Sequence, residues 1–169
     1  NLTDACSRIM PVAGGGAKNI MTASSHVDDM QFTPDGKTLV YSEHSGSKPM
    51  EIYRVANTGG EPTNLSRANT KLLENYQLTP MEEIWVEGAD KTKIHSFLVK
   101  PYGFKNGVKY PVLFLIHGGP QGAWGEAWSY RWNPQVFAAA GFAVVMPNPR
   151  GSTGYGQKFT DDINDDWGG

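Results

Sequence analysis

The chain places His117-Gly118-Gly119-Pro120 directly after the apolar run "VLFLI" at 112–116. Two glycines at the end of such a run let the backbone bend sharply and come close to another group. A glycine-rich turn there can aim backbone N–H groups at an oxygen that becomes negative during acyl transfer. Pro120 has no N–H, so donation falls to Gly119 and Gly118. Proline also steers the preceding residue towards an extended conformation, which would set the Gly119 amide in advance. One such donor contributes about 2.7–4 kcal/mol of transition-state stabilisation.

Lipases and esterases build this arrangement with an HGGG-type loop. Acyl transfer also needs a nucleophile, and none is recognisable. Ser7, Ser24, Ser25, Ser42, Ser45, Ser47, Ser66, Ser96, Ser129 and Ser152 all lack the Gly-x-Ser-x-Gly frame. A single cysteine, Cys6, excludes an internal disulfide framework and a cysteine-based zinc site. His26 and His44 fall in predicted loops and read as solvated, and His95 reads as a packing or surface residue on a strand. The four histidines have no close ligand spacing, so no metal site is expected. Asp162-x-Asn164-x-Asp166 resembles the start of a calcium loop, but Trp167 stands where the sharp-turn glycine belongs, with Gly168 one place late. A solvated acidic helix end is the expected reading.

Other residues near the glycine turn carry two readings each. Trp124, Trp128, Tyr130 and Trp132 are candidates to line a substrate cleft, with anchoring of a long loop as the equal alternative. Arg150 is expected to steady a cleft loop by pairing with a carboxylate, the alternative being simple exposure. Asn1-Leu2-Thr3 and Asn64-Leu65-Ser66 are glycosylation sequons of the kind that arise often by chance.

The elements that must position these residues can be read from turn signals and periodicity. "GGGAKNIMTASSHVDDMQFTP" (14–34) matches "GGEPTNLSRANTKLLENYQLTP" (59–80) in its glycine pair, in Asn19 and Asn64, and in the "QFTP" and "QLTP" endings. The offset lies within the range of β-propeller blades. Between the copies, "PDGK" and "SGSKP" are turn signals separating β-rich segments. Residues 1–78 therefore read as the last blade of a propeller with flanking strands. After Pro80, "EEIWVEG" and "KIHSFLVKP" form a predicted hairpin. "VLFLI" and "FAVVM" (142–146) read as strands covered on both faces, as in a parallel α/β sheet. "NPQVFAAAG" (133–141) is a short helix between them, with Asn133 as N-cap, Pro134 in its first turn and Gly141 at its end. Strand, helix and strand predict a right-handed crossover. Residues 79–169 thus read as part of an α/β domain, in which ligands sit beyond the carboxyl ends of the strands.

Composition narrows the class. The 169 residues carry a net charge of −2, with 39% hydrophobic and 19% charged side chains. No basic run suggests nucleic acid, and the longest apolar runs fall far short of the ~20 residues of a membrane helix. Asn1 at the start and "DDWGG" at the end give the sequence the look of a piece cut at both ends.

"KYPVLFLIHGGPQGAW", "RWNP", "GFAVVMPNPRGSTGYGQKFTDDI" and "DWGG", preceded by a propeller-like segment, resemble the prolyl oligopeptidase family of serine peptidases. The likeness is greatest to its dipeptidyl-peptidase V branch, with acylaminoacyl peptidases next. It implies an α/β plus β fold: a partial α/β-hydrolase domain over 79–169, preceded by the last blade of a β-propeller over 1–78. It implies a Ser-Asp-His triad that removes dipeptides from peptide N-termini, with all three residues downstream of Gly169, so that this segment alone would be inactive. Gly119 takes the place of the oxyanion-hole amide, with Gly118 beside it. Where some relatives carry a hydroxyl-donating Tyr, this chain has His117, whose imidazole is a lesser candidate than the neighbouring amide. His117, Trp124, Arg150 and Tyr155 are the cleft-lining candidates, the last two in "NPRGSTGYG" (148–156). No cofactor or metal is implied. The implied partners are a peptide substrate and the rest of the hydrolase, which is expected to cover the open edge of the "VLFLI" strand; a homo-oligomer stays open. The family resemblance alone favours a secreted or periplasmic location. An acylaminoacyl peptidase or esterase of the same fold, and a non-catalytic propeller binding module, are the alternatives.

Overall fold

The computed structural model describes residues 5–23 and 25–166, which divide into two compact units. The first comprises residues up to Gln77 together with Glu126–Trp128, and the second comprises Leu78–Gly125 with the residues from Ser129 onward.

In the first unit, β1 (Ala5–Ile9) pairs antiparallel with β2 (Lys18–Ala23). Four further strands, β3 (His26–Phe32), β4 (Thr38–Ser45), β5 (Lys48–Ala56) and β6 (Thr63–Asn64), form an antiparallel sheet in chain order. Its first turn follows from local chemistry. Gly36 takes φ +69°, and Asp35 accepts hydrogen bonds from Thr33 Oγ1 and Lys37 N at 2.7 and 3.0 Å. Leu39 faces Val55 across the sheet and Tyr41 faces Tyr53, the two rings stacking at 5.9 Å. These residues join Ile20 and Met21 in one core, with Ile9 and Val27 against it. Cross-strand pairs of this kind are the unit of sheet stabilisation.

Two features depart from expectation. His26 and His44 lie on β3 and β4, not in loops, and stand directly opposite one another in the register. A bulge between Asp28 and Gln31, with Asp29 at φ +51°, brings them into that register. The second copy of the internal repeat also folds differently from the first: it yields only the two-residue β6 and a single helical turn, α1 (Thr70–Leu73). The Glu51 carboxylate organises that turn, accepting from Ser66 Oγ, Ala68 N, Asn69 N and Asn69 Nδ2.

In the second unit, β7 (Met81–Glu87) and β8 (Lys93–Val99) form the antiparallel hairpin, joined through a 3-10 turn at Ala89–Lys91. β9 (Val112–Phe114) and β10 (Ala143–Asn148) run parallel, with α2 (Pro134–Ala139) between them in sequence. Sheet order is β7-β8-β10-β9. Asn133 Oδ1 caps α2 by accepting from Gln135 N at 2.9 Å, and Gly141 leaves the helix at φ +96°. The Gln135 amide in turn exchanges two 2.8 Å hydrogen bonds with the main chain of Thr79. Phe97, Val99, Ala138, Val144 and Met146 make the core, with Leu115, Trp124 and Phe137 packed on it. The short α3 (Gln157–Asp161) closes the described chain. No helix among the described residues is long and apolar enough to cross a membrane.

β9 corrects the expectation of a five-residue strand covered on both faces. It spans three residues at the sheet edge, and among the described residues it pairs only with β10. Val112, Phe114 and Ile116 are exposed, while Leu113 and Leu115 turn towards the core side. Among the described residues, an apolar sequence on both faces meets cover on only one.

Candidate active site

The parallel strands β9 and β10 end side by side, and each runs into a glycine-rich loop. Leu115 N still bonds Val145 O at 2.9 Å, so the first loop begins from a held backbone. Its first residue, His117, is used twice. Nδ1 lies 3.0 Å from Gly118 O and Nε2 lies 2.9 Å from Ser152 Oγ. A carbonyl can only accept, so Nδ1 donates to Gly118 O, while Nε2 is taken up by the Ser152 hydroxyl. Both nitrogens are thus committed to the scaffold, and the imidazole has no proton left to offer an oxyanion.

Gly119 sits at φ +147°, with a cis peptide bond to Pro120. That φ lies in the region that glycine alone enters freely, and not at the negative φ expected of an extended residue before proline. A Cβ here would lie 2.7 Å from Gln121 N and 2.9 Å from Gly122 N. Beyond it, Gly122 N bonds Pro120 O at 2.9 Å, and Gly122 O accepts from Thr153 N at 2.9 Å. Among the described residues, no protein acceptor takes the N–H of Gly118 or Gly119. The loop leaves these two amides available.

The far end of the loop is fixed by Trp124. Its indole Nε1 donates to Leu115 O at 2.7 Å, and its ring meets His117 edge-on at 6.4 Å. Its main chain is gripped by Asn148, the fully buried last residue of β10: Trp124 N donates to Oδ1 at 2.7 Å and Trp124 O accepts from Nδ2 at 3.0 Å. Asn148 Nδ2 also donates to the Tyr155 hydroxyl at 2.8 Å. The phenol proton then faces His95 Nδ1 at 2.6 Å, which leaves the His95 proton on Nε2, 3.1 Å from Glu83 Oε2. That last contact is close but poorly aligned for a hydrogen bond. Burial holds His95 below the usual histidine range, against the opposing charge of Glu83. Burial likewise raises Tyr155, partly offset by its bond from Asn148. Trp85 stacks on His95 at 4.7 Å and Phe97 packs edge-on from the other side.

Of the four cleft candidates, His117 and Arg150 line a cavity of about 410 Å³, together with Ile94, Ile116, Pro120 and Ile163. Trp124 and Tyr155 do not line it and turn into the scaffold. Arg150, expected to pair with a carboxylate, forms no ion pair among the described residues, although Asp162 and Asp166 line the same cavity. Tyr130 and Trp132 are exposed, and Trp128 groups with the first unit, where its N–H donates to His44 Nδ1 at 2.9 Å. Asn148, Ser152, His95 and Glu83 were not picked out as site residues from sequence. The one available signal was a polar Asn148 ending an apolar strand.

Two clusters test the absence of metal. The Asp162, Asn164, Asp166 series makes no calcium loop: Asp162 pairs with Lys158 at 2.7 Å and Asn164 Oδ1 accepts from Gln121 Nε2 at 3.0 Å. Trp167 and Gly168 lie outside the described residues. His26, Asp28 and His44 do converge, contrary to their sequence spacing, with Asp28 Oδ2 at 3.1 Å from His26 Nε2 and 3.5 Å from His44 Nε2. Yet His44 Nδ1 accepts the Trp128 N–H, so its proton is on Nε2, facing Asp28. A histidine ligating a metal through Nε2 would need that proton on the other nitrogen. The trio is a carboxylate lying close to two imidazoles.

Comparison with known proteins places these observations. Residues 128–169 match the prolyl oligopeptidase family model. Dipeptidyl-peptidase 5 of Trichophyton schoenleinii is 56% identical over 153 residues, covering 89% of this chain and 21% of the relative. Among solved structures, the Pyrococcus horikoshii acylaminoacyl peptidase superposes with TM-score 0.72 at 25% identity, over 87% of this chain and 22% of that one. Porphyromonas gingivalis dipeptidyl peptidase 4 gives TM-score 0.71 at 19% identity, over 92% and 22%, a likeness of fold alone. The chain spans about a fifth of the length of the curated relatives it matches. Sequence and fold agree in likening this chain to the prolyl oligopeptidase family.

Proposed function

We propose that this chain is part of a serine exopeptidase that releases dipeptides from peptide N-termini by acyl transfer, and that it supplies the oxyanion-hole amide of Gly119, with Gly118 beside it. On this reading the first unit is the last blade of a β-propeller, and the second is the N-terminal half of an α/β-hydrolase domain. The Ser, Asp and His of the triad come from other residues of the polypeptide. A seryl oxygen attacks the scissile carbonyl, a histidine takes its proton and returns it to the leaving amine, and Gly119 N–H stabilises the tetrahedral oxygen. His117 and Arg150 border the cleft, and no metal or cofactor takes part.

One observation carries the reading. Among the described residues, the two glycine amides that follow a parallel strand at its carboxyl end have no protein acceptor. Such donors cost no reorganisation when charge develops on a substrate oxygen.

The test is hydrolysis by the polypeptide that carries this chain. Release of dipeptides from free-amine peptides, with a serine labelled by a fluorophosphonate, is the expected result. Cleavage confined to N-acetylated substrates would favour the second reading, an acylaminoacyl peptidase, which the 25%-identical solved structure of that name supports. No labelled serine would leave a propeller-based binding module.

A further inference from the structure

Asn148 holds a position of unusual leverage. Its side chain is fully buried, and three of its four hydrogen-bonding positions are filled. Two of them form a closed pair with the main chain of one residue, taking both N–H and C=O of Trp124. Trp124 is also the residue whose indole returns to Leu115 O at the loop's start. The turn bearing Gly118 and Gly119 is therefore closed at both ends, with Asn148 as the fastening on the β10 side. The third bond, to the Tyr155 hydroxyl, ties the same fastening to His95 and Glu83 on the hairpin.

We propose that Asn148 is a positioning residue for catalysis: by clamping the Trp124 peptide it fixes where the Gly119 N–H points, and Tyr155 braces the clamp. This rests on the reading of Gly119 as an oxyanion donor. Asn148 touches no reacting atom on this account and acts through the loop. An amide side chain is required because it must accept from the N–H and donate to the C=O of one residue at once. Displacing a catalytic donor by about 1 Å costs on the order of 100-fold in rate.

Asn148→Asp keeps the shape and the acceptor but loses both donor bonds, and Tyr155→Phe leaves the clamp and removes its brace. Both are made in the polypeptide carrying this chain, and active sites are counted by fluorophosphonate titration. Asn148→Asp is expected to lower kcat per titrated site about 10- to 100-fold, with KM within about twofold. Affinity for a peptide boronate, whose tetrahedral adduct uses the same donors, falls in parallel. Tyr155→Phe shifts both in the same direction by a smaller factor, and decides the matter alone if Asn148→Asp does not fold. Unchanged kcat per titrated site and unchanged boronate affinity would overturn the proposal, since a merely structural residue alters only the titratable fraction. A wild-type polypeptide with no titratable serine overturns the oxyanion reading itself and this proposal with it.

Discussion

His95 and Tyr155, sixty positions apart in the chain, share a 2.6 Å hydrogen bond between the imidazole Nδ1 and the phenol hydroxyl. Asn148 donates to the same phenol from the other side, so Tyr155 accepts once and donates once, and His95 is held as the neutral Nε2–H tautomer. The titratable groups facing His95 are Glu83 on β7 and Tyr155, while Trp85 and Phe97 enclose it.

Burial lowers His95 against the pull of Glu83, and this makes the fold acid-sensitive. As pH falls through about 6.5, the unfolded chain takes up a proton that folded His95 still refuses. The stability it contributes is complete above that pH and is lost towards the lower folded value. His95→Gln is expected to flatten the decline of unfolding free energy between about pH 7 and 5 by up to one proton's worth. Urea unfolding across that range reads it, and an unaltered slope in the variant would count against a buried neutral His95.

Glu51 acts by the same linkage in the first unit. Burial raises its carboxyl, but hydrogen bonds from Ser66, Asn69 and Ala68 outweigh that and hold it below the usual range. Its contribution is present above the ordinary carboxylate value and disappears as pH falls through the lower folded one. Glu51→Gln is expected to cost on the order of 1–3 kcal/mol at pH 7. The gap between wild type and variant is smaller at acid pH, below the ordinary carboxylate range, than at pH 7. A gap of equal size at both pH values would show that the charge is not what holds residues 66–69.

The proton position on His44 predicts a negative result with metal. Zinc added to the protein is expected to leave its melting temperature unchanged, because His44 Nδ1 is occupied by the Trp128 N–H. A zinc-dependent rise that disappears in His26→Ala would overturn the assignment.

Gly119 carries the most specific backbone demand. At φ +147°, with a Cβ placed 2.7 Å from Gln121 N, alanine cannot be accepted without moving the loop. Gly119→Ala is expected to reduce kcat by about 100-fold or more. Gly125→Ala, where a Cβ meets nothing within 4 Å, serves as the control. Comparable losses in both variants would mean that the whole loop, not the Gly119 amide, responds to substitution.

Local chemistry made part of this legible before any coordinates. The turn at Asp35 and Gly36, the Asn133 cap with Pro134 behind it, and the glycine pair after β9 each depend on residues within a few positions of one another. What escaped depends on pairing at long range. His26 and His44 met through a strand register that a bulge sets, and nothing in "SSHVDDM" reveals a bulge. Asn148, Tyr155 and His95 met because β8 and β10 are neighbours, with His95 opposite Asn148. Arg150 was expected to find a carboxylate by charge alone, yet neither acid in its cavity lies within ion-pair distance. β9 was read from an apolar run as doubly covered, whereas periodicity reports what a strand can bury and not what lies against it.

The central claim is that the Gly119 N–H faces an acyl oxygen. A crystal structure of the polypeptide carrying this chain, trapped as a tetrahedral adduct with a peptide boronate or aldehyde, tests it most directly. The account predicts the adduct oxygen about 2.7–3.1 Å from Gly119 N. An adduct oxygen held wholly by other donors, with the Gly119 amide turned away from it, would contradict the account.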